Sequence, residues 1–417
     1  MGLAASSINV DQARLSAEIE ALAQISDTPY PSVTRVLFSE TDMKARAYLK
    51  KLFAAAGLVV REDSIGNTYA RWAGTDIAAA PVGTGSHTDA IPNAGRFDGV
   101  VGVLGGLEAI RALQRAGFKP RRSIELVMFT AEEPTRFGPG CVGSRIMAGA
   151  MSPEKIAALR DKDGLSLDQA RAAAGYSGTV ASVQLPKNHY SAFVELHIEQ
   201  GYRLERAGLP IGVVTAIAAP ATLRVQFTGE GGHAGAVLMP DRHDPVLAAS
   251  EVMLAVDQIA RGTGNVNSVA TCGLVQVLPG AVNSIPRDVT LTIDLRDIDL
   301  ARRDQMLADV RAAAHAAAGK FGVGLADEVL NADAPATCAP EILRAIHESC
   351  DELGLAYQDM TSRAYHDSLF MALISPSGMI FVPSKGGYSH RPDEFTEPDE
   401  IADGVCVLAA TLARLAT

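Results

Sequence analysis

The sequence predicts an α/β protein of two domains, the second an α+β unit inserted into the first, and three observations predict it. Between residues 81 and 198 the pattern runs strand, long helix, strand, the rhythm of a sheet covered by helices. Near residue 215 it changes to short alternating strands and two helical stretches. Polar residues of the kind that build sites return over 375–394, which places 1–215 and 334–417 in the first domain and 216–333 in the insertion. A chain of 417 residues also exceeds what one core usually fills.

From Asp11 onward, Leu15, Ile19, Leu22 and Ile25 recur at helical spacing, and a second such stretch spans 43–52 and ends near Gly57. Residues 81–86 lead into His87. Residues 100–113, rich in Ala, Gly and Leu, read as a buried helix, and the apolar run 123–130 as an interior strand with both faces covered. Residues 192–196 form another strand before His197. In the insertion, 222–227 is strand-like, 245–259 helical and 268–277 a strand. Val289, Leu291, Ile293 and Leu295 then alternate with polar neighbours before a helix over 301–318. The expected unit is strand, helix, strand, strand, helix.

Net charge is −11, with Lys and Arg scattered along the chain, which argues against a nucleic-acid surface and for small-molecule partners. No run of eighteen uncharged apolar residues occurs, and residues 1–7 lack the basic and apolar regions of a signal peptide. A soluble, cytoplasmic protein with no membrane partner is expected. The five cysteines, Cys141, Cys272, Cys338, Cys350 and Cys406, contain no C-x-x-C pair and read as reduced, mostly buried thiols.

The most informative stretch is Gly85-Ser86-His87-Thr88-Asp89, followed eleven positions after His87 by Asp98. An imidazole holds one divalent ion, a carboxylate can span two, and Asp89 stands where it could fix the ring of His87 by accepting its second N–H. Taken alone, His-x-Asp is more often a core or solvated histidine beside an aspartate. The chain adds Glu132-Glu133 in Thr130-Ala131-Glu132-Glu133-Pro134, His197 in Glu195-Leu196-His197-Ile198-Glu199, and His390 in Tyr388-Ser389-His390-Arg391. His87, Glu132-Glu133 and His197 each end or follow an expected strand, where open α/β sheets place ligands. Two ions bridged by one carboxylate need further ligands on each side, so His87 with His197 could serve one and Glu133 with His390 the other. Adjacent side chains diverge, which lets Glu133 ligate while Glu132 faces the attacking water as general base; a solvated loop pair is the bland alternative. Three imidazoles and two carboxylates, without a thiolate, suit zinc and also manganese.

Thr290, Thr292, Asp294 and Arg296 form the polar face of an alternating strand, so the Arg296 guanidinium can point into an opening, though an ordinary surface arginine fits the same pattern. Gly99, Gly102, Gly105 and Gly106 read as close helix packing, since no G-x-G-x-x-G follows a strand. His189, His243, His315 and His347 read as surface or packing residues.

Together these motifs resemble the hydantoinase/carbamoylase group of binuclear-metal amidohydrolases, within the aminoacylase and carboxypeptidase-like superfamily, over nearly the whole chain. The resemblance implies a metallo-exopeptidase-like catalytic domain with a mixed sheet, an inserted ferredoxin-like lid and dimerisation domain, and two divalent ions per subunit, Zn or Mn. It implies His87 and His197 on one ion, Asp98 as the bridge, Glu133 and His390 on the other, Glu132 as general base and Asp89 as a further catalytic residue. Gln200, Asn283, Arg296 and His366 resemble substrate-binding residues, with Asn283 and Arg296 holding a carboxylate. His233 resembles the lid histidine that, in a homodimer, reaches the partner's active site and supports the oxyanion. Segments 89–92, 129–138, 212–220 and 229–240 are most similar to the group's ureidoglycolate-cleaving members. The implied reaction is hydrolysis of the ureido C–N bond of a small ureido acid. Ureidoglycolate is the first expectation, and an N-carbamoyl-L-amino acid or allantoate the alternative. A dipeptidase or aminoacylase, or a non-catalytic metal-binding homologue, stands further off.

Overall fold

Side-chain caps open the first helices of the computed structural model, which describes residues 7–417. Asp11 accepts the N–H of Arg14 at the start of Gln12–Ala23, and Ser39 accepts that of Asp42 at the start of Glu40–Ala55. Each helix buries one stripe: Leu15, Ile19 and Leu22 in the first, Ala45, Leu49 and Phe53 in the second. The stretch read for a leader lies, over residues 1–6, outside the described residues. No helix among the described residues is long and apolar enough to cross a membrane.

The chain divides into two compact units. One takes the residues up to Thr215 with Thr337–Ser362 and His366–Thr417; the other takes Ala216–Ala336 and Arg363–Tyr365. Hydrogen bonds explain the stray tripeptide. Arg296 Nη1 donates to the Arg363 carbonyl at 2.7 Å, and the Tyr365 hydroxyl joins Asn331 and Asp333.

The first unit carries a mixed sheet of nine strands. Seven of them run, to one edge of the sheet, in the order Ile211–Ile217, Ser377–Val382, Ala192–Ile198, Val82–His87, Ile124–Phe129, Thr68–Trp72, Val59–Glu62. The four strands from Ser377–Val382 to Ile124–Phe129 are parallel, while Ile211–Ile217 pairs antiparallel with Ser377–Val382, Thr68–Trp72 with Ile124–Phe129, and Val59–Glu62 with Thr68–Trp72. Parallel strands need cover on both faces, and these four are buried at every position. The helix Val100–Arg115 gives part of that cover. Its glycines let it approach closely: a Cβ at Gly102 would meet the Leu196 carbonyl at 2.4 Å.

In the second unit the strand order is Val269–Leu278, Asp288–Asp297, Ala219–Thr228, Gly324–Ala332, all antiparallel. With the helices Pro245–Gly262 and Leu300–Phe321 this is the β-α-β-β-α-β order of a ferredoxin-like unit. Leu223, Val225, Phe227, Leu291 and Ile293 meet Val252, Val256, Val310 and Ala314 of the helices in its core. Asp288–Asp297 alternates as the sequence predicts, with Val289, Leu291, Ile293 and Leu295 buried. The sixth element, Gly324–Ala332, is absent from the sequence expectation. It is an edge strand with most side chains exposed, held by backbone pairing to Ala219–Thr228; Leu325 and Asp327 are only partly covered between exposed neighbours, and the alternation breaks at the register shift between Val329 and Asn331, so burial leaves only a faint pattern on it.

Candidate metal centre

Each of the four parallel strands delivers a candidate residue at or beyond its carboxyl end. His87 closes Val82–His87, His197 is next to last in Ala192–Ile198, Glu132 and Glu133 follow Ile124–Phe129, and His390 follows Ser377–Val382. Asp98 comes from the loop before Val100–Arg115. Four of the seven described non-glycine residues with positive φ, Ala131, Cys141, Gln200 and His390, lie on these turns. Sparsely populated backbone gathered in one place points to function.

The donor atoms form three sets, the members of each within 4.8 Å of one another: His87, Asp98 and His197; Asp98, Glu133 and His390, which shares Asp98 with the first; and Glu195, His197 and His366, which shares His197 with the first. Asp98 Oδ1 is 3.2 Å from His197 Nε2 and 3.8 Å from His87 Nε2, while Oδ2 is 3.2 Å from His390 Nε2. Glu133 Oε1 lies 3.4 Å from His390 Nε2, and Glu132 Oε2 lies 3.6 Å from His87 Nε2. Main-chain carbonyls fix the other ring nitrogens. His87 Nδ1 is 3.0 Å from the Asp89 carbonyl and His197 Nδ1 is 2.9 Å from that of Ile198, which aims both Nε2 atoms at the carboxylates.

Asp89 therefore differs from its sequence expectation. Its backbone oxygen, not its carboxylate, holds the His87 ring; the nearer carboxylate oxygen is 3.7 Å away. The carboxylate instead accepts the N–H groups of Glu132 and Glu133, at 3.3 and 3.0 Å. Two adjacent N–H groups on the turn after Ala131 offer a buried acid more than one ring N–H does.

Sequence reasoning missed three residues here. Cys141 Sγ donates to Glu132 Oε1 at 3.3 Å. Ser389 Oγ lies 3.0 Å from Asp98 Oδ2, beside Gln200 Nε2 at 2.9 Å. Glu394 accepts the N–H groups of Phe97 and Asp98. The Glu394 contact to Phe97 joins residues 297 positions apart, so no local pattern reveals it; the one available signal is an acid on the loop that carries His390.

Burial lifts Glu132 well above the usual carboxylate range, and Glu133 beside it adds to the effect. Burial and Asp98 push Glu133 up to about 8, and burial and Asp42 push Asp89 to about 7. Burial lowers His87 to about 4. Burial also opposes charge on His197, yet the Asp98 carboxylate lifts it to about 9; at His390 the hydrogen bond to Asp98 leads, again to about 9. Among the described residues no lysine or arginine pairs with Asp98, Glu132 or Glu133, whose ion-pair partners are histidines.

Crowded acids without a fixed cation, facing three imidazoles, have the charge balance that divalent cations would complete. Gly99 fits this reading as well. At its φ of +66° a Cβ would sit 2.4 Å from His87 Nε2, so glycine keeps that nitrogen free to ligate. Nitrogen and oxygen donors without a thiolate suit zinc or manganese.

The remaining candidates fall in two places. In the first unit His366 is buried, with its Nε2 2.8 Å from Ser362 Oγ and its ring centroid 4.5 Å from that of His197. In the second unit the short strands Gly232–His233 and Ser284–Ile285 pair, and the Ala234 N–H donates to the Asn283 carbonyl, so His233 and Asn283 are neighbours. His233 is exposed, its Nδ1 accepting from the Gly235 N–H at 3.1 Å. Arg296 directs Nε and Nη2 at the Asp294 carboxylate, 2.7 and 3.3 Å away.

A mixed sheet whose parallel strands end in paired histidine and carboxylate donors is a hydrolase architecture with a candidate metal centre. The chain belongs to peptidase family M20/M25/M40, whose family model matches residues 83–414. Within it, the chain groups with the hydantoinase/carbamoylase amidases: one from Burkholderia multivorans superimposes with a TM-score of 0.88 at 37% identity, over 98% of this chain and 99% of that one. The chain is 50% identical to the ureidoglycolate hydrolase of Arabidopsis thaliana over 420 residues, 99% of this chain and 88% of that one. A crystal structure of AtUAH in complex with (S)-hydroxyglycine superimposes with a TM-score of 0.91 at 50% identity, over 99% of both chains.

Proposed function

We propose that this protein hydrolyses the ureido C–N bond of ureidoglycolate, using two divalent ions, zinc or manganese, held by His87, Asp98 and His197 and by Asp98, Glu133 and His390. It is a hydrolase acting on carbon–nitrogen bonds other than peptide bonds. The observation that carries the metal reading is the pair of donor sets joined by one carboxylate. Bound ions would polarise the ureido oxygen and acidify an attacking water. Glu132 takes the proton of that water and returns it to the leaving nitrogen, with Cys141 orienting one of its oxygens. Asp89 keeps the Glu132-Glu133 turn in place.

Gln200 and His366 contact the substrate on this reading, while Asn283 and Arg296 hold its carboxylate. The second unit serves as lid and dimerisation domain, and His233 supports the oxyanion in the active site of a partner copy. Its exposure on the Gly232–His233 strand is what supports that role.

The substrate is tested on metal-free protein reloaded separately with Zn, Mn, Co or Ni and assayed for ammonia release. Ureidoglycolate should give the highest kcat/KM among ureidoglycolate, allantoate, N-carbamoyl-alanine and N-carbamoyl-β-alanine. Faster turnover of either carbamoyl compound would replace the substrate while leaving the reaction class intact.

Arg296→Lys should raise KM by about tenfold or more although charge is kept, because a guanidinium grips a carboxylate through two parallel hydrogen bonds and an ammonium cannot. The loss should nearly vanish for a substrate analogue with an amide in place of the carboxylate; equal losses for both compounds would remove Arg296 from that role.

Mixing two inactive variants, Glu132→Gln and His233→Ala, should restore activity once their subunits exchange, since half of the mixed dimers' sites then hold both native groups. Random association limits the recovery to roughly a quarter of wild type. No recovery despite proven exchange would assign His233 to its own subunit or to no site.

A further inference from the structure

Glu394 sits four residues beyond His390, on a loop pinned at its base by Lys385 N–H to Phe395 O and Thr396 Oγ1 to Pro383 O, both 2.8 Å. It is fully buried. Its Oε1 accepts two successive main-chain N–H groups, from Phe97 at 2.8 Å and Asp98 at 3.1 Å. Its Oε2 lies 2.9 Å from Ser389 Oγ, which in turn lies 3.0 Å from Asp98 Oδ2. The fold makes room for this side chain: a Cβ on Gly95 would fall 2.3 Å from Glu394 Cβ and Oε1. A buried carboxylate with no lysine or arginine partner is costly, and these hydrogen bonds are what offset that cost.

The contacts join two segments, one bearing Asp98 and the other His390. Those residues meet at 3.2 Å in the second donor set. We propose that Glu394 is a positioning residue that locks the Asp98 backbone to the His390 loop and thereby sets the affinity of the ion held by Asp98, Glu133 and His390. The His87–His197 side of the centre shares Asp98 but has its own fasteners for both rings, the Asp89 and Ile198 carbonyls, and so depends less on this clamp. The proposal rests on the two-ion reading above.

The test titrates metal-free protein with Mn²⁺ and reads bound against free ion by its magnetic resonance signal, without reference to activity. Wild type should take two ions per chain; failure there would undo the two-ion reading and not the clamp alone. In Glu394→Ala one of the two affinities should fall by about 10–100-fold, the usual loss when a group supporting a ligand is removed, while the other stays within about threefold. His390→Ala should lose the same ion. Glu394→Gln keeps an oxygen for the two N–H groups and should hold both ions within about fivefold of wild type. Two wild-type affinities in Glu394→Ala, or equal weakening of both ions, would overturn the proposal. Should Glu394→Ala fail to fold, Ser389→Ala decides: it should weaken the same ion alone by several fold, and unchanged binding would overturn the proposal.

Discussion

Glu132→Gln is expected to retain both ions and to lose about a thousandfold or more in kcat, equivalent to about 4 kcal/mol of transition-state stabilisation. The amide fills the same volume, and its oxygen can still accept from Cys141, 3.3 Å away in the native chain. It cannot take a proton from water. Because Glu132 belongs to none of the donor sets, metal content should be untouched, which separates loss of the base from loss of the centre. Metal analysis and turnover on one preparation suffice, and near-native turnover with full metal content would remove Glu132 from the mechanism.

Asp98→Ala should fail in the opposite way, losing metal first and activity as a result. Both donor sets proposed to hold an ion contain Asp98, so its removal leaves His87 with His197 on one side and Glu133 with His390 on the other, two ligands each and nothing joining them. Gln200 and Ser389 would also lose the acceptor they share, 2.9 and 3.0 Å away. Activity should fall to background, and elemental analysis should find fewer than two ions per chain. A variant that keeps two ions would refute the bridge.

Sequence showed the gathering of the metal candidates because of a rule about strands. A long apolar run ends, a polar pair or a histidine follows, and in a parallel sheet all such ends face one way; His87, Glu132-Glu133 and His197 could be placed together from that alone. The main-chain roles were invisible, since a carbonyl is the same at every residue: nothing in Asp89 says that its backbone oxygen, not its carboxylate, would meet the His87 ring. Glu394 was hidden by distance along the chain, and Gly324–Ala332 by its short, interrupted alternation, which the register shift between Val329 and Asn331 breaks before a period can be read. Arg363–Tyr365 joined the second unit through hydrogen bonds to Arg296, Asn331 and Asp333, which no composition shift announces.

The position of Ser377–Val382 between Ala192–Ile198 and Ile211–Ile217 bears on how the chain is made. A ribosome that has finished Ile217 must add another 165 residues (382 − 217) before the strand that fits between those two exists. At ordinary elongation rates of about 5–20 residues per second, that is a wait of about 10–30 s. Through it, the nascent sheet presents interior edges with unpaired N–H and C=O groups, while the inserted β-α-β-β-α-β unit, made entirely within the wait, can already fold. Yield in a foreign host should therefore follow the supply of chaperones that shield nascent edges more closely than it follows the thermal stability of the finished protein.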